Sequence, residues 1–284
     1  MPTSRVPPAF DLAAAAPALR PGDDGIWRPA RHSALDYPDE GNAFCFQVED
    51  RSFWFRYRND RIVEAVRRFP PPGAIVDVGA GNGFVARGLS QAGFPAVVVE
   101  PGPVGARNAA ARGLAPVVCS TLEDAGFQPG SLPAAGLFDV VEHLPDDRAV
   151  LAHLFGLIQP GGRLYLTVPA YGWLWSDDDD LAGHHRRYTR RSLRRAVEAA
   201  GFRIELESYL FAPLVLPILL LRALPTRLGR RRPADVQTLT RELQPTPGLA
   251  ERAVTWLLRL EAWWFGHVGA VPAGSSCLLV ATRP

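Results

Sequence analysis

Ile75-Val76-Asp77-Val78-Gly79-Ala80-Gly81-Asn82-Gly83 decides the fold, because an apolar β-branched run ends there in three alternating glycines and opens directly into a helical window at Gly83 to Ala92. Glycine carries no Cβ and tolerates positive φ, so the backbone of such a turn can approach a ligand closely. The helix that follows presents unpaired N–H groups to it. Two ligands compete for this cradle. A dinucleotide pyrophosphate prefers G-x-G-x-x-G, whose third glycine lets helix and strand pack above the phosphates. The spacing here is G-x-G-x-G. With Asp77 on the strand before it, the tighter turn suits a ligand that carries an ammonium group and no phosphate. Glu100 closes the next strand 23 residues after Asp77, placed to accept both hydroxyls of a ribose.

Outward from that turn, short β-branched runs alternate with Ala-rich helical windows, as repeated strand-helix units require. The pattern predicts strands at 74–78, 96–100, 116–119, 134–140, 163–168, 202–209 and 277–282, with crossover helices at 83–92, 104–112 and 147–157 and an N-capped helix at 189–200. The expected fold is α/β, a Rossmann-like doubly wound, seven-stranded, mostly parallel sheet with a helical insertion before the last strand. Residues 1–42, rich in Pro, Ala and Gly, read as a loose arm. Residues 43–70 form an aromatic lid region whose Ile62, Val63 and Val66 stripe predicts a helix over 59–68. The core spans 71–211, and the insertion, with helical windows at 214–224 and 249–267, spans 212–273. Residues 274–284 return as the final strand.

The composition removes several classes of chemistry. The chain has 284 residues, 47% of them hydrophobic and 21% charged, which fits a globular chain with one large domain or two small ones. Every basic residue is Arg, so Schiff-base, catalytic-lysine and P-loop mechanisms have no side chain to use. A net charge of +2 is too small for a global polyanion binder, which leaves local clusters of Arg. Cys45, Cys119 and Cys277 are far apart in sequence and suggest neither a disulfide framework nor zinc. No secretion signal is read near Ala13 to Ala16, and the apolar run 211–221 is shorter than the roughly 20 residues a spanning helix needs. The expected location is cytoplasmic.

At the Val76-to-Gly83 turn the chain resembles the class I S-adenosylmethionine-dependent methyltransferases, whose first motif is similar to V-D-V-G-A-G-N-G. The likeness covers roughly Phe44 to Phe211 plus the last strand, and the later L-F-D-V-V-E-H-L stretch arrives in the family's order. It implies S-adenosyl-L-methionine as cofactor, with Asp77, Gly79, Ala80, Gly81 and Gly83 around the methionine part, Glu100 on the ribose, Pro101 against the adenine, and Thr121 and Leu122 flanking the base. A bacterial subgroup is resembled more narrowly. Its E-x-x-x-F-W-F-x-x-R-N opening is similar to Glu49–Asn59. Its L-W-S-x-x-D-x-x-x-G-H-x-R-R-Y-T run is similar to Leu174–Thr189, although many members have His where this chain has Asp178.

Methyl transfer is an in-line displacement in which the protein aligns the nucleophile and, where needed, removes a proton. His184 and His143, in loops after the fifth and fourth core strands, are the candidate bases. Arg58, in preference to Arg56, is the candidate for the cofactor carboxylate, because a guanidinium fork fits that group. Asp139, Glu142 and His143 could hold a hard divalent ion, yet the same letters occur in relatives without one, so no metal is assigned. Asp177 to Asp180 reads as a solvated acidic loop, and Trp54, Trp173 and Trp175 as walls of an acceptor pocket or as core.

Two Arg clusters, 186–203 and 222–241, flank the apolar run 211–221, and a second amphipathic window holds Trp256, Leu257, Leu260, Trp263, Trp264 and Phe265. They read either as solvated helix faces or as a peripheral contact with anionic membrane at its inner face. The expected activity is methyl transfer to an oxygen or nitrogen of a small-molecule, glycan or lipid-linked acceptor, not nucleic acid. The alternatives are a nicotinamide-dependent Rossmann oxidoreductase and a non-catalytic cofactor-binding protein at a membrane.

Overall fold

In the computed structural model, which describes residues 10–30, 45, 46, 48–230 and 248–284, the β-branched runs become strands of one sheet. These are β1 (Leu19–Pro21), β2 (Ile26–Pro29), β3 (Ile75–Val78), β4 (Ala96–Val99), β5 (Val117–Val118), β6 (Leu132–Phe138), β7 (Ile158–Pro169), β8 (Arg203–Leu210) and β9 (Ser276–Thr282). Their order is β1-β2-β5-β4-β3-β6-β7-β9-β8. From β2 through β7 neighbours run parallel, while β1 on β2 and β9 between β7 and β8 are antiparallel.

The expectation of seven strands is corrected to nine among the described residues. The seven predicted strands are there, and the N-terminal region adds two more. Arg20 pairs with Arg28 across a hairpin, and Ile26 and Trp27 pair with Val117 and Val118 to extend the sheet. Reading 1–42 as a loose arm therefore fails for residues 10–30. Leu12, Leu19 and Ile26 bury there, and pairing with β2 covers the otherwise unpaired edge of β5. The rest of the arm, Ala43 and Phe44 of the lid region, and Arg231, Arg232, Asp235 and Arg241 of the second Arg cluster lie outside the described residues.

Every residue of β3 and β4 is buried, as parallel strands with helices on both faces require. Alternate side chains supply opposite layers. Val76, Val78, Val97 and Val99 meet α4 (Asp147–Leu157) and α6 (Arg190–Ala199) in one core. Ile75, Ala96 and Val98 meet α1 (Phe53–Arg68), α2 (Phe84–Gln91), α3 (Pro103–Ala111) and α7 (Leu249–His267) in the other. α1 is longer than the window read for it, because Phe53, Trp54 and Tyr57 pack on the second core and continue the apolar stripe N-terminally. At α6, Thr189 caps the Ser192 N–H and Ser192 returns the bond, the reciprocal arrangement of a capping box. The run 215–227 passes through a π turn at Leu219–Ala223, flanked by Pro217 and Pro225, whose missing N–H groups interrupt a regular ladder. Among the described residues no helix is long and apolar enough to cross a membrane.

Four of the seven arginines of cluster 186–203 have partners within the fold, while Arg191, Arg195 and Arg203 are exposed. Arg187 bonds Asp179, Arg186 pairs with Asp147, Arg194 with Glu207, and Arg190 lies over the Tyr209 ring.

Candidate functional site

The chain leaves β3 for β4 on one side and later enters β6 on the other, so the C-terminal ends of β3 and β6 border the crevice where open α/β sheets hold ligands. The glycine turn lies on that crevice. Gly79 N–H donates to Val99 O at 2.8 Å and Gly83 N–H to Ala80 O at 2.9 Å, so the turn is tied to the next strand and closed on itself. Gly83 starts α2 at φ +72°, where an added Cβ would stand 2.5 Å from Leu114 Cδ1 and 2.9 Å from Ala109 Cβ. Only glycine fits there.

Glu100, 3% exposed, turns back onto this loop, accepting the Gly81 N–H at 2.7 Å and the Gly102 N–H at 2.8 Å. The two donors fix the carboxylate, and a carboxylate can accept about four hydrogen bonds in all. Asp77 is 1% exposed, and its Oδ2 has no protein partner. Burial pushes its pKa up to about 7, opposed by the charge of Arg58. A buried carboxylate oxygen without a donor, beside a glycine cradle, fits a ligand that brings an ammonium group. Pro101 follows Glu100 directly. Thr121 caps the short helix Leu122–Ala125 by accepting the Asp124 N–H at 3.0 Å, with Leu122 buried behind it.

Ser120 and Arg112 of this half were not read from sequence, nor were the partners of Asn82. Ser120 is buried with its Oγ unpartnered, and its N–H donates to Glu100 O at 3.2 Å. Asn82 Nδ2 donates to Glu49 at 3.2 Å and its Oδ1 accepts from Asn108 at 2.8 Å. Arg112 pairs with Glu49 at 2.8 Å. The glycine turn is thus braced from the lid region and from α3. An alternating-glycine pattern carries no signal for partners 26 or 33 residues away.

Arg58, the candidate for the cofactor carboxylate, already has an acidic partner within the chain. Its guanidinium pairs with Asp139 and lies 4.5 Å from the Trp54 ring centroid. Burial lowers its pKa to about 10, while Glu49, Glu142 and Asp77 act to raise it. It is thus a buried cation paired with Asp139 and within the field of three further carboxylates. Asp139 also accepts from Thr167 at 2.9 Å, so the set Asp139, Glu142 and His143 is not assembled with Asp139 open to an ion. Trp54 stacks on Phe211 at 5.6 Å, Trp173 on Tyr171 at 5.0 Å, and Trp175 donates to Asp180 at 3.0 Å, so each tryptophan has a different partner.

The two histidines do come together, with ring centroids 4.7 Å apart and nearly perpendicular planes. The solvated acidic loop expected at Asp177 to Asp180 is instead the start of helix α5 (Asp177–Ala182), with Asp179 only 1% exposed. Asp179 accepts the Ser176 N–H at 2.9 Å, contacts His184 Nδ1 at 2.8 Å and accepts from Arg187 at 2.7 Å. Periodicity cannot tell which of four successive aspartates turns inward. With Nδ1 held by a carboxylate, the neutral imidazole carries its lone pair on Nε2. That nitrogen lies 4.0 Å from Glu142, too far for a direct bond. Glu142 is fully buried, with both carboxylate oxygens lacking a protein partner, and burial pushes its pKa up to about 8. Burial and the adjacent His184 lower His143 to about 4, so it is uncharged at neutral pH.

Comparison with known proteins bears on the family and the fold. Residues 51–207 match the family described as a methyltransferase domain. The chain is 30% identical over 115 residues to the ubiquinone biosynthesis O-methyltransferase of Xanthomonas campestris pv. campestris (strain B100), covering 38% of this chain and 48% of that one. It spans about half the length of the curated relatives it matches. Among solved structures it is similar to a methyltransferase in complex with the Trm112 methyltransferase activator of Haloferax volcanii, with a TM-score of 0.56 and 18% identity over 89% of this chain and 98% of that one. It is also similar to phosphoethanolamine N-methyltransferase 2 of Haemonchus contortus, solved with S-adenosyl-L-methionine, with a TM-score of 0.53 and 17% identity over 88% of this chain and 58% of that one. At such identities the structural likeness speaks to the fold alone, but the family match covers more than half of the 284 residues, and the chain belongs to the methyltransferase domain family.

Proposed function

We propose that this chain is an S-adenosylmethionine-dependent methyltransferase acting on an oxygen or nitrogen of a small-molecule acceptor, a class in which we include glycan and lipid-linked compounds. The observation that carries the reading is the glycine turn clamped by Glu100 beside the unpartnered Oδ2 of Asp77. When bound, the cofactor supplies a methyl group on a positively charged sulfur. The chain's own residues do the rest. Asp77 pairs with the amino group of the methionine part, Glu100 accepts the ribose hydroxyls, and Pro101, Thr121 and Leu122 border the base. His184, oriented by Asp179, takes the acceptor's proton at Nε2. His143 stays neutral beside it. The nicotinamide alternative has neither the glycine spacing nor the family match in its favour.

Calorimetry with S-adenosylhomocysteine, together with labelled methyl donor and fractionated cell extract, tests the reading. Binding with methylation of one fraction supports it. Binding with every fraction unlabelled favours the non-catalytic protein, and no binding overturns the proposal.

One observation favours a second reading of the histidine cluster. Glu142, His143 and His184 each offer a ligand atom, all within 4.8 Å of one another, and the orphaned Glu142 oxygens would gain a partner from a divalent cation. Asp179 would then be the outer carboxylate that orients a histidine ligand. Chelator treatment separates the two. Activity lost and restored by one divalent ion selects the cation, and unchanged activity selects proton transfer by His184.

A further inference from the structure

The described residues expose thirteen large apolar side chains, and eleven of them belong to the insertion between β8 and β9. They fall at helical spacing. On α7, Trp256, Leu260, Trp263 and Trp264 form an exposed stripe, while Leu258, Glu261 and Phe265 on the opposite side are buried. The run 215–227 repeats this with Leu216, Leu220 and Leu224, the first of them 65% exposed, and Leu228 follows just beyond it. A helix that is apolar on the side it buries and on the side it exposes has a second apolar environment to meet.

From this arrangement we propose that the insertion is an interfacial surface that docks the enzyme on an anionic lipid bilayer, its two helical segments lying in the headgroup plane. The inference does not depend on the reaction. Tryptophan favours that depth, where its ring is apolar and its N–H stays wet. Among the described side chains of these segments the exposed formal charges are cations: Arg227 and Arg230 by the first, Arg252 and Arg259 beside the tryptophans of the second. Among their described side chains the one acid is Glu261, which is buried and accepts the N–H groups of Phe211 and Ala212 at 2.6 Å each. The neighbouring Asp178 pairs with Arg222 at 3.0 Å. Charge also argues against a second copy of this chain as the occupant. A two-fold interface sets the same patch against itself, which here brings arginine onto arginine with no described carboxylate between. With no described helix able to span, the segments lie in the interface plane.

Flotation of the full chain with vesicles tests this. We expect binding to vesicles of equal phosphatidylglycerol and phosphatidylcholine, weak binding to phosphatidylcholine alone, and quenching of tryptophan fluorescence by brominated lipid. Trp256→Ser with Trp263→Ser should lower the bound fraction at fixed lipid about tenfold, with an unchanged melting curve. Arg252→Ala with Arg259→Ala should weaken the preference for anionic vesicles, and adding Arg227→Ala and Arg230→Ala should remove it. Three results would each overturn the proposal: no flotation with anionic vesicles, equal flotation of the tryptophan variant, or a stable dimer that the tryptophan variant converts to monomer. None of these variants touches Asp77, Glu100 or His184, so cofactor calorimetry is unaffected and reports separately on the proposed reaction.

Discussion

Glu100→Ala is the perturbation most tightly bound to the geometry. In the free protein the substitution takes the acceptor from two backbone N–H groups, those of Gly81 and Gly102, held at 2.7 and 2.8 Å. Water can enter the vacated space, so each loss sits at the low end of the roughly 1–3 kcal/mol for an unpaired buried donor. That part lowers the melting temperature and is paid before any ligand arrives. Binding loses something further: two ribose hydroxyls forfeit an ionised acceptor, about 1.5–3 kcal/mol each, or about 3–6 kcal/mol together. At 1.4 kcal/mol per tenfold, affinity for S-adenosylhomocysteine should fall by about 10²–10⁴. Titration calorimetry of the variant, with Glu198→Ala on the exposed face of α6 as control, reads the loss. Glu100→Gln keeps one acceptor oxygen and should fall between. An affinity within threefold of the parent, in a protein whose melting curve shows it folded, would refute the role of Glu100 and with it the reading of the crevice.

Asp77 should make cofactor affinity depend on pH. Its raised pKa, about 7, means that below neutrality the ligand's ammonium meets a protonated acid. Affinity for S-adenosylhomocysteine should therefore climb up to about tenfold per pH unit between pH 5.5 and 7 and level off above. A carboxyl raised above its unfolded value stabilises the fold at low pH and loses that contribution as pH rises through 7, so the ligand-free melting temperature should drop over the same window. Asp77→Asn should flatten both curves in calorimetry and thermal scans. Arg58→Met removes the counter-charge of Asp139 and weakens the field holding Glu49, Glu142 and Asp77. Urea denaturation should show a loss of about 3–5 kcal/mol, and adding Asp139→Asn should restore only part of it. Gly83→Ala combines a left-handed backbone, about 1–2 kcal/mol, with a Cβ 2.5 Å from Leu114, about 1–3 kcal/mol more. Gly113→Ala, at φ +80° with nothing within 4 Å, should cost the backbone part alone, and equal losses for the two would refute the packing argument.

What could be read without coordinates was whatever depends on neighbours along the chain. The β3 run, its glycine turn and the acidic end of β4 are legible because strand, loop and helix are written in consecutive residues with distinct periods. The helix caps at Thr189 and the insertion windows were legible for the same reason, as was the family likeness that residues 51–207 bear out. The hairpin at Leu19–Pro29 was not, since two strands of three and four residues offer too little pattern and exist by pairing with β5, about ninety residues away. Nor could sequence choose Asp179 from a run of four aspartates, send Arg58 to Asp139, or bring His143 and His184 into contact. Those outcomes are set by which groups share a buried volume, where an unpaired charge costs several kcal/mol, and that volume exists only once the sheet and its two helical layers have closed.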